Sequence, residues 1–276
     1  MNLMIRQSCT ALLCVGIAAA ALAEPTTQPT SQPCATTQPT SARTTDPAAM
    51  TILAQLEQAG RDHPQIRAEI DYEVVLGDLG DTEQRTGWVA YRDERPANDG
   101  APAQPARFRV HFDTLRTGGP KLREVVDYAF DGQWLTVAKH KIKQMTRYQV
   151  VAKGERVETM RLGQGPFPLP FGQKADEVLD YFEAHTRPAR PSDPKGTQYL
   201  RLTTRPERLK DTEFTRIEMW IDDKTHLPVR IVSKDKKRNL TTASFKNVQT
   251  DKQLADEMFH MARPAGWQLK VERLGE

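Results

Sequence analysis

From Ile66 to Leu76 the residues Ile66, Ala68, Ile70, Tyr72, Val74 and Leu76 alternate with Arg67, Glu69, Asp71, Glu73 and Val75. A period of two is the signature of a strand with one buried face. It returns in 86–91, in 107–114 with Phe108, Val110 and Phe112 on one side, and in 126–130, 134–139, 144–151, 197–203, 215–221, 227–233 and 240–248. Turn signals separate these short runs, at Asp131-Gly132, Asp222-Asp223 and Lys236 to Asn239. Successive short strands joined by tight turns predict an antiparallel meander and argue against a parallel, doubly wound sheet.

Two helices are expected beside the strands. Asp46-Pro47 supplies an N-cap and a first-turn proline, and Met50, Leu53, Leu56 and Ala59 or Gly60 recur at helical spacing until His63-Pro64. The second is read over Gln173 to Ala184, with Ala175, Val178, Leu179 and Phe182 on one side. The class is therefore mainly β (α+β): a large curved antiparallel sheet that must cover one face of itself with the helices at hand. Directly before the second helix stands "LGQGPFPLPFG". Its prolines and glycines exclude regular structure from Gly163 to Gly172, yet it is too apolar for an ordinary surface loop. The Pro-rich "ERPANDGAPAQPA", Glu94 to Ala106, reads as a long hairpin connection.

The N-terminus implies export. Met1 to Ala23 carries Arg6, an apolar run from Ala11 to Leu22 and a closing Ala21-Leu22-Ala23, the pattern of a signal peptide that leaves Glu24 first. The run is too short to span a bilayer, which takes roughly 20 residues. Leu13 before Cys14 disfavours lipoprotein processing. Residues 24–47, rich in Thr, Pro and Gln with TTQPT twice, have almost nothing to bury and are expected to be a disordered spacer. Residues 48–276 are then one domain, exported and periplasmic. Only Cys34 outlasts the signal, so no disulfide forms within the mature chain. Losing Arg6 lowers the formal charge from +3 to +2, too little to argue for nucleic acid.

Enzyme chemistry has little footing. His63, His111, His140, His185, His226 and His260 show no HExxH or paired-ligand spacing, and neither Gly-x-Ser-x-Gly nor a phosphate-cradling loop occurs. Asp222-Asp223 beside Lys224 is explained by turn chemistry. The basic run Lys234 to Arg238 reads as a solvated hairpin tip, with anionic lipid or a partner surface as the lesser reading. No catalytic residue, metal or cofactor is assigned.

In order along the chain, the opening helix and "IRAEIDYEV", then "RTGWVAYRDERP", "ARFRVHF", "AFDGQWLTVAKHKIKQMTRY", "GPFPLPFG" and "MFHMARPAGWQLK" resemble the periplasmic outer-membrane lipoprotein carriers, the LolA-like family. The insert 94–106, the N-terminal spacer and extra length over 187–210 depart from that pattern. The resemblance implies an unclosed β-barrel whose concave apolar face is capped by helices, with lipoprotein acyl chains or another lipid held between sheet and lid. It also implies inner- and outer-membrane transfer partners. An envelope sensor or interaction protein on the same fold is the alternative.

Candidates follow for each part of such a carrier. Phe108, Val110, Phe112, Tyr128, Phe130 and Trp134 are candidates for the apolar wall. Phe167, Leu169, Phe171, Val178, Leu179 and Phe182 are candidates for the lid. The resemblance also implies an arginine that latches the lid, for which Arg95, followed by Pro96, is the first choice and Arg92 the second. For any one of the apolar residues, ordinary core packing is the simpler role.

Overall fold

Asp46 accepts a hydrogen bond from the Ala48 amide at 3.0 Å, and Pro47 takes the first helical position, where a missing N–H costs nothing. Helix α1 (Pro47–Asp62) then runs until Pro64 disfavours further helix. The computed structural model describes residues 46–77, 80–93, 105–151, 162 and 171–274. The buried stripe of α1 is Ala49, Ile52, Leu53, Leu56, Ala59 and Gly60; Met50, expected on that stripe, is instead 41% exposed.

The strands are β1 (Gln65–Val75), β2 (Thr82–Arg92), β3 (Arg107–Thr117), β4 (Leu122–Phe130), β5 (Trp134–Lys139) and β6 (Gln144–Gln149). After helix α2 (Ala175–Tyr181) come β7 (Phe182–Arg187), β8 (Thr197–Thr204), β9 (Phe214–Asp222), β10 (Pro228–Asp235), β11 (Leu240–Gln249) and β12 (Gln268–Glu272). They form a 12-stranded sheet in the order β12-β6-β5-β4-β3-β2-β1-β11-β10-β9-β8-β7. Every neighbour pair is antiparallel except β12, which adds parallel to β6. Two meanders, β1 to β6 and β7 to β11, are welded where β1 pairs with β11 from Val75↔Leu240 to Arg67↔Gln249. The sheet has two edges, β12 and β7, so the barrel is unclosed.

Alternation sorts the side chains. Ile66, Ala68 and Ile70 of β1, Val89 and Tyr91 of β2, and Phe108, Val110 and Phe112 of β3 share one core with Leu200, Leu202, Ile217, Met219 and Ile231 of the second meander and with the stripe of α1. Residues from both halves can meet in this way only if the sheet curls around that face. A separate small cluster, Ala90, Leu254 and Phe259 with Trp88 and Met258 against it, lies on the other face. The close strand approach at the β2–β3 bulge explains Gly87, since a Cβ there would stand 1.8 Å from the His111 carbonyl oxygen.

Three sequence expectations change. The second helix stops at Tyr181, and Phe182 to Arg187 pair with β8 from Phe182↔Thr204 to Arg187↔Tyr199. Val178, Leu179 and Phe182 fit a helical stripe, but Phe182 and Ala184 also fit a strand, and cross-strand pairing decides between the two. The closing segment contains β12, whose parallel pairing departs from a pure meander. Strands β2 and β4 begin four residues earlier than expected, at Thr82 and Leu122. The signal and spacer up to residue 45, and nearly all of Gly163 to Gly172, lie outside the described residues.

Gly172 is described, and its position is restrictive. Its φ is +68°, and a Cβ would meet the Tyr91 hydroxyl at 2.1 Å and Asp93 Oδ1 at 2.8 Å. Gly172→Ala is expected to destabilise the protein by roughly 1–3 kcal/mol through both strain and displacement of Tyr91. Urea denaturation checks this; an unchanged midpoint would show that the turn is not under that constraint.

Candidate functional site

The concave face carries a continuous aromatic surface. Phe108 stacks on Phe130 with ring centroids 5.8 Å apart, and Phe112 meets Tyr72 at 5.3 Å and Tyr128 edge-on at 6.3 Å. The strand register builds this row, because Phe108 pairs with Phe130, Val110 with Tyr128 and Phe112 with Val126 across β3 and β4. Five of the six wall candidates, Phe108, Val110, Phe112, Tyr128 and Phe130, are thus brought together. Trp134 is not among them. It alternates with Leu135, which pairs with Phe130 and belongs to the core, so Trp134 faces the convex side beneath Arg147, 4.9 Å away.

Part of the cover is described. Phe171 is buried between Tyr91 of β2 and Phe245 of β11, at 5.6 and 5.5 Å. Val178 of α2 is buried and Leu179 partly so. Phe182 is buried but belongs to β7, which makes it sheet rather than lid. Phe167, Leu169 and Arg95 lie outside the described residues.

Side chains fasten the cover. Gln173 accepts from the Leu162 amide at 2.7 Å and donates to the Phe171 carbonyl at 3.1 Å. Glu57 on α1 accepts from the Ala175 amide at 3.0 Å, at the start of α2. Arg205 Nε donates to the Leu179 carbonyl at 2.8 Å. Clefts of about 390 Å³ flank this arrangement, one bounded by Leu179, Arg205 and Arg208 and one between α1 and the Arg187 and Tyr199 side chains.

One end of the wall is polar. Arg85 Nε donates to Glu83 at 2.6 Å and Nη2 to Glu124 at 3.3 Å, while its buried Nη1 has no hydrogen-bond partner among the described residues. The guanidinium stands 5.9 Å from the Phe112 ring centroid. Burial drives the Tyr72 hydroxyl well above the usual tyrosine range, and burial likewise raises Tyr128. Both phenols are therefore neutral, and that of Tyr72 is hydrogen-bonded to Thr241. Arg85 is absent from the candidates read from the sequence. Its signal is the two-residue period, which carried back from Tyr91 through Val89 and Gly87 puts Arg85 on the apolar face.

Arg92 does not reach the cover. Tyr91 points inward, so Arg92 points outward, where it bonds Asp256 and the Leu254 carbonyl and lies 5.0 Å from the Phe259 ring centroid. It latches the segment after β11 onto the convex face. Beside it, Asp127 is buried and accepts from Arg109 at 2.8 Å, from His111 Nδ1 at 2.8 Å, and from His140 Nε2 at 2.8 Å. Trp267 packs edge-on against His140 and Trp88 stacks on His111. The Asp127 hydrogen bond raises the His111 pKa. Burial alone would raise the Asp127 carboxyl, but hydrogen bonds from His111 and Arg109 override it and hold it at about 2. Among the described residues no group of three or more His, Cys, Asp or Glu side chains is placed to hold a metal ion.

Removing the Asp127 carboxylate leaves Arg109 and two histidines facing a void, and Asp127→Ala is expected to cost on the order of 3 kcal/mol. The His111 contribution is full below its unfolded value of about 6.5 and is lost as pH rises through the raised folded value; that of Asp127 is present above about 3.9 and lost as pH falls towards 2. The stability gap between the parent and His111→Gln, measured by thermal melts, should therefore be wider near about pH 5.5 than near about pH 8.5. An equal gap at both would show that His111 is not stabilised as a cation.

No family model matches the sequence, and neither does any curated protein. Solved structures do. An uncharacterized conserved protein from Thermus thermophilus is 12% identical over 82% of this chain and 99% of its own, with a TM-score of 0.44. The Mycobacterium tuberculosis lipoprotein LppX is 13% identical over 76% and 98%, with a TM-score of 0.41. A LolA superfamily protein from Nitrosomonas europaea is 11% identical over 77% and 97%, with a TM-score of 0.34.

Proposed function

We propose that this chain is an exported, non-catalytic carrier that shelters the acyl chains of a lipoprotein or another lipid between its concave sheet and the segment crossing it. The observation that carries the reading is the aromatic wall of Phe108, Val110, Phe112, Tyr128 and Phe130 on the concave face of an unclosed sheet, in one apolar cluster with the described cover residues Phe171 and Val178. An apolar wall under a displaceable cover can take up acyl chains by replacing one set of apolar contacts with another, without a reacting group. Phe171 and Val178 belong to the side of the cover that a ligand displaces, and the sequence offers Phe167 and Leu169 as further lid residues. Arg95 and Pro96 stand in the β2–β3 connection as the proposed latch, while Gln173, Glu57 and Arg205 hold the parts of the cover that are described.

The polar end sets the ligand's orientation. An acyl chain lies along Phe112, Val110 and Phe108, and its anionic or carbonyl head meets Arg85 Nη1. A charged hydrogen bond made in a largely dry setting contributes on the order of 1.5–3 kcal/mol.

The test is titration with a fluorescent fatty acid, together with native mass spectrometry of protein purified from its own envelope. Micromolar binding and copurifying lipid are expected. Arg85→Gln should weaken fatty-acid binding about tenfold but leave binding of the corresponding fatty alcohol nearly unchanged. If neither copurifying lipid nor micromolar binding is found, the carrier reading fails and an interaction role on the same fold takes its place.

A further inference from the structure

Several connections meet at one end of the sheet because the register puts them there. Val75 pairs with Leu240 and with Thr82, Glu83 with Thr117, Leu115 with Leu122, and Val126 with Lys139. The turns after β1, β3, β5 and β10 therefore share a rim. The β8–β9 connection joins them, since the Lys236 amide donates to the Glu213 carbonyl at 3.3 Å.

Three of these connections share one pattern. Lys121-Leu122-Arg123, Lys141-Ile142-Lys143 and Arg208-Leu209-Lys210 each set an exposed aliphatic residue between two cations. Leu122 is 54% exposed and Ile142 58%, the highest values among the large apolar side chains described, and Leu209 is 39% exposed. The β10–β11 tip reads Lys236-Lys237-Arg238-Asn239-Leu240, with Leu240 exposed beside Leu76. At the opposite rim Asp131, Asp193 and Asp222 accept backbone amides in the turns, as Asp235 does at the β10–β11 tip. A turn has no need of leucine or isoleucine, and aliphatic side chains in water at several neighbouring tips favour association.

We propose that this rim docks on an anionic phospholipid bilayer, with Leu122 and Ile142 entering the headgroup region and the flanking lysines and arginines meeting lipid phosphates. Charge complementarity selects an anionic partner, and the aliphatic tips select a bilayer. A nucleic acid would use the cations alone and gain nothing from exposed aliphatic tips. No helix among the described residues is long and apolar enough to cross a membrane, and this docking needs none. The inference does not depend on the concave face holding a lipid.

Sedimentation of the full chain with vesicles tests it. Binding to phosphatidylcholine vesicles containing phosphatidylglycerol should exceed binding to phosphatidylcholine alone about tenfold or more and should weaken with added salt. Leu122→Ser with Ile142→Ser, and separately Lys121→Glu with Lys141→Glu, should each lower the phosphatidylglycerol-dependent binding about tenfold. Lys224→Glu on the opposite rim should not change it. Circular dichroism monitors folding, and Lys236→Glu with Lys237→Glu on a separate hairpin gives an independent reading. Equal binding to both vesicle types, binding unaffected by the rim substitutions, or retention on heparin without vesicle binding would each overturn the proposal. Fatty-acid affinity retained in the rim variants would separate this surface from the concave site.

Discussion

The chain leaves β6 near one edge of the sheet and enters β7 at the other. The residues described along the connection between them lie on the concave side. Val151, Leu162, Phe171 and Val178 all belong to the main core. For Phe171, the described end of "GPFPLPFG", this burial explains an apolar side chain where a surface loop would be polar. A crossing segment also has backbone groups that no sheet neighbour satisfies. Gln173, Glu57 and Arg205 supply side-chain partners for several of them. Lifting the cover would break these local bonds and expose residues such as Phe171 and Val178, worth roughly 1.5–3 kcal/mol each. An acyl chain entering the same space would return a similar amount.

How much of this was legible follows from the range of each signal. The alternation of Ile66 to Val74 and of Phe108, Val110 and Phe112 is local, and it correctly sets both the strands and their buried faces. The edge position of β7 is not local. Val178, Leu179 and Phe182 satisfy helical spacing, and only the partner β8 shows that Phe182 turns into a strand. Strand β12 is harder still: Leu269 and Val271 alternate with Gln268, Lys270 and Glu272, but each is 40% exposed, and a run of 5 residues does not reveal a parallel pairing with β6.

Trp134 and Arg92 teach a narrower lesson about register. Each has the right chemistry for its expected role, and each sits one position away from the face that role needs. Leu135 and Tyr91 take the concave side, so Trp134 and Arg92 take the convex one. Because the side-chain period of a strand is two, a shift of one residue reverses every assignment. Arg92 remains a latch, but for the segment carrying Leu254, Asp256 and Phe259. With the Asp127 network it gives the convex face its own cover.

The polar end of the concave wall and the cationic rim lie at the same end of the sheet. Arg85 is three residues from the start of β2, Glu124 two residues beyond Leu122, and Lys141 stands 4.0 Å from Glu124. A ligand lying with its head at Arg85 and its tail along Phe112 and Phe108 would therefore have its head nearest the rim proposed to dock on a bilayer. That order suits transfer, because the head stays close to the headgroup layer while the tail exchanges one apolar setting for another. The short path between rim and wall would then run past the Glu83–Arg85–Glu124 group. Its ion pairs can open with less loss than aromatic packing, since Glu83 is already 43% exposed.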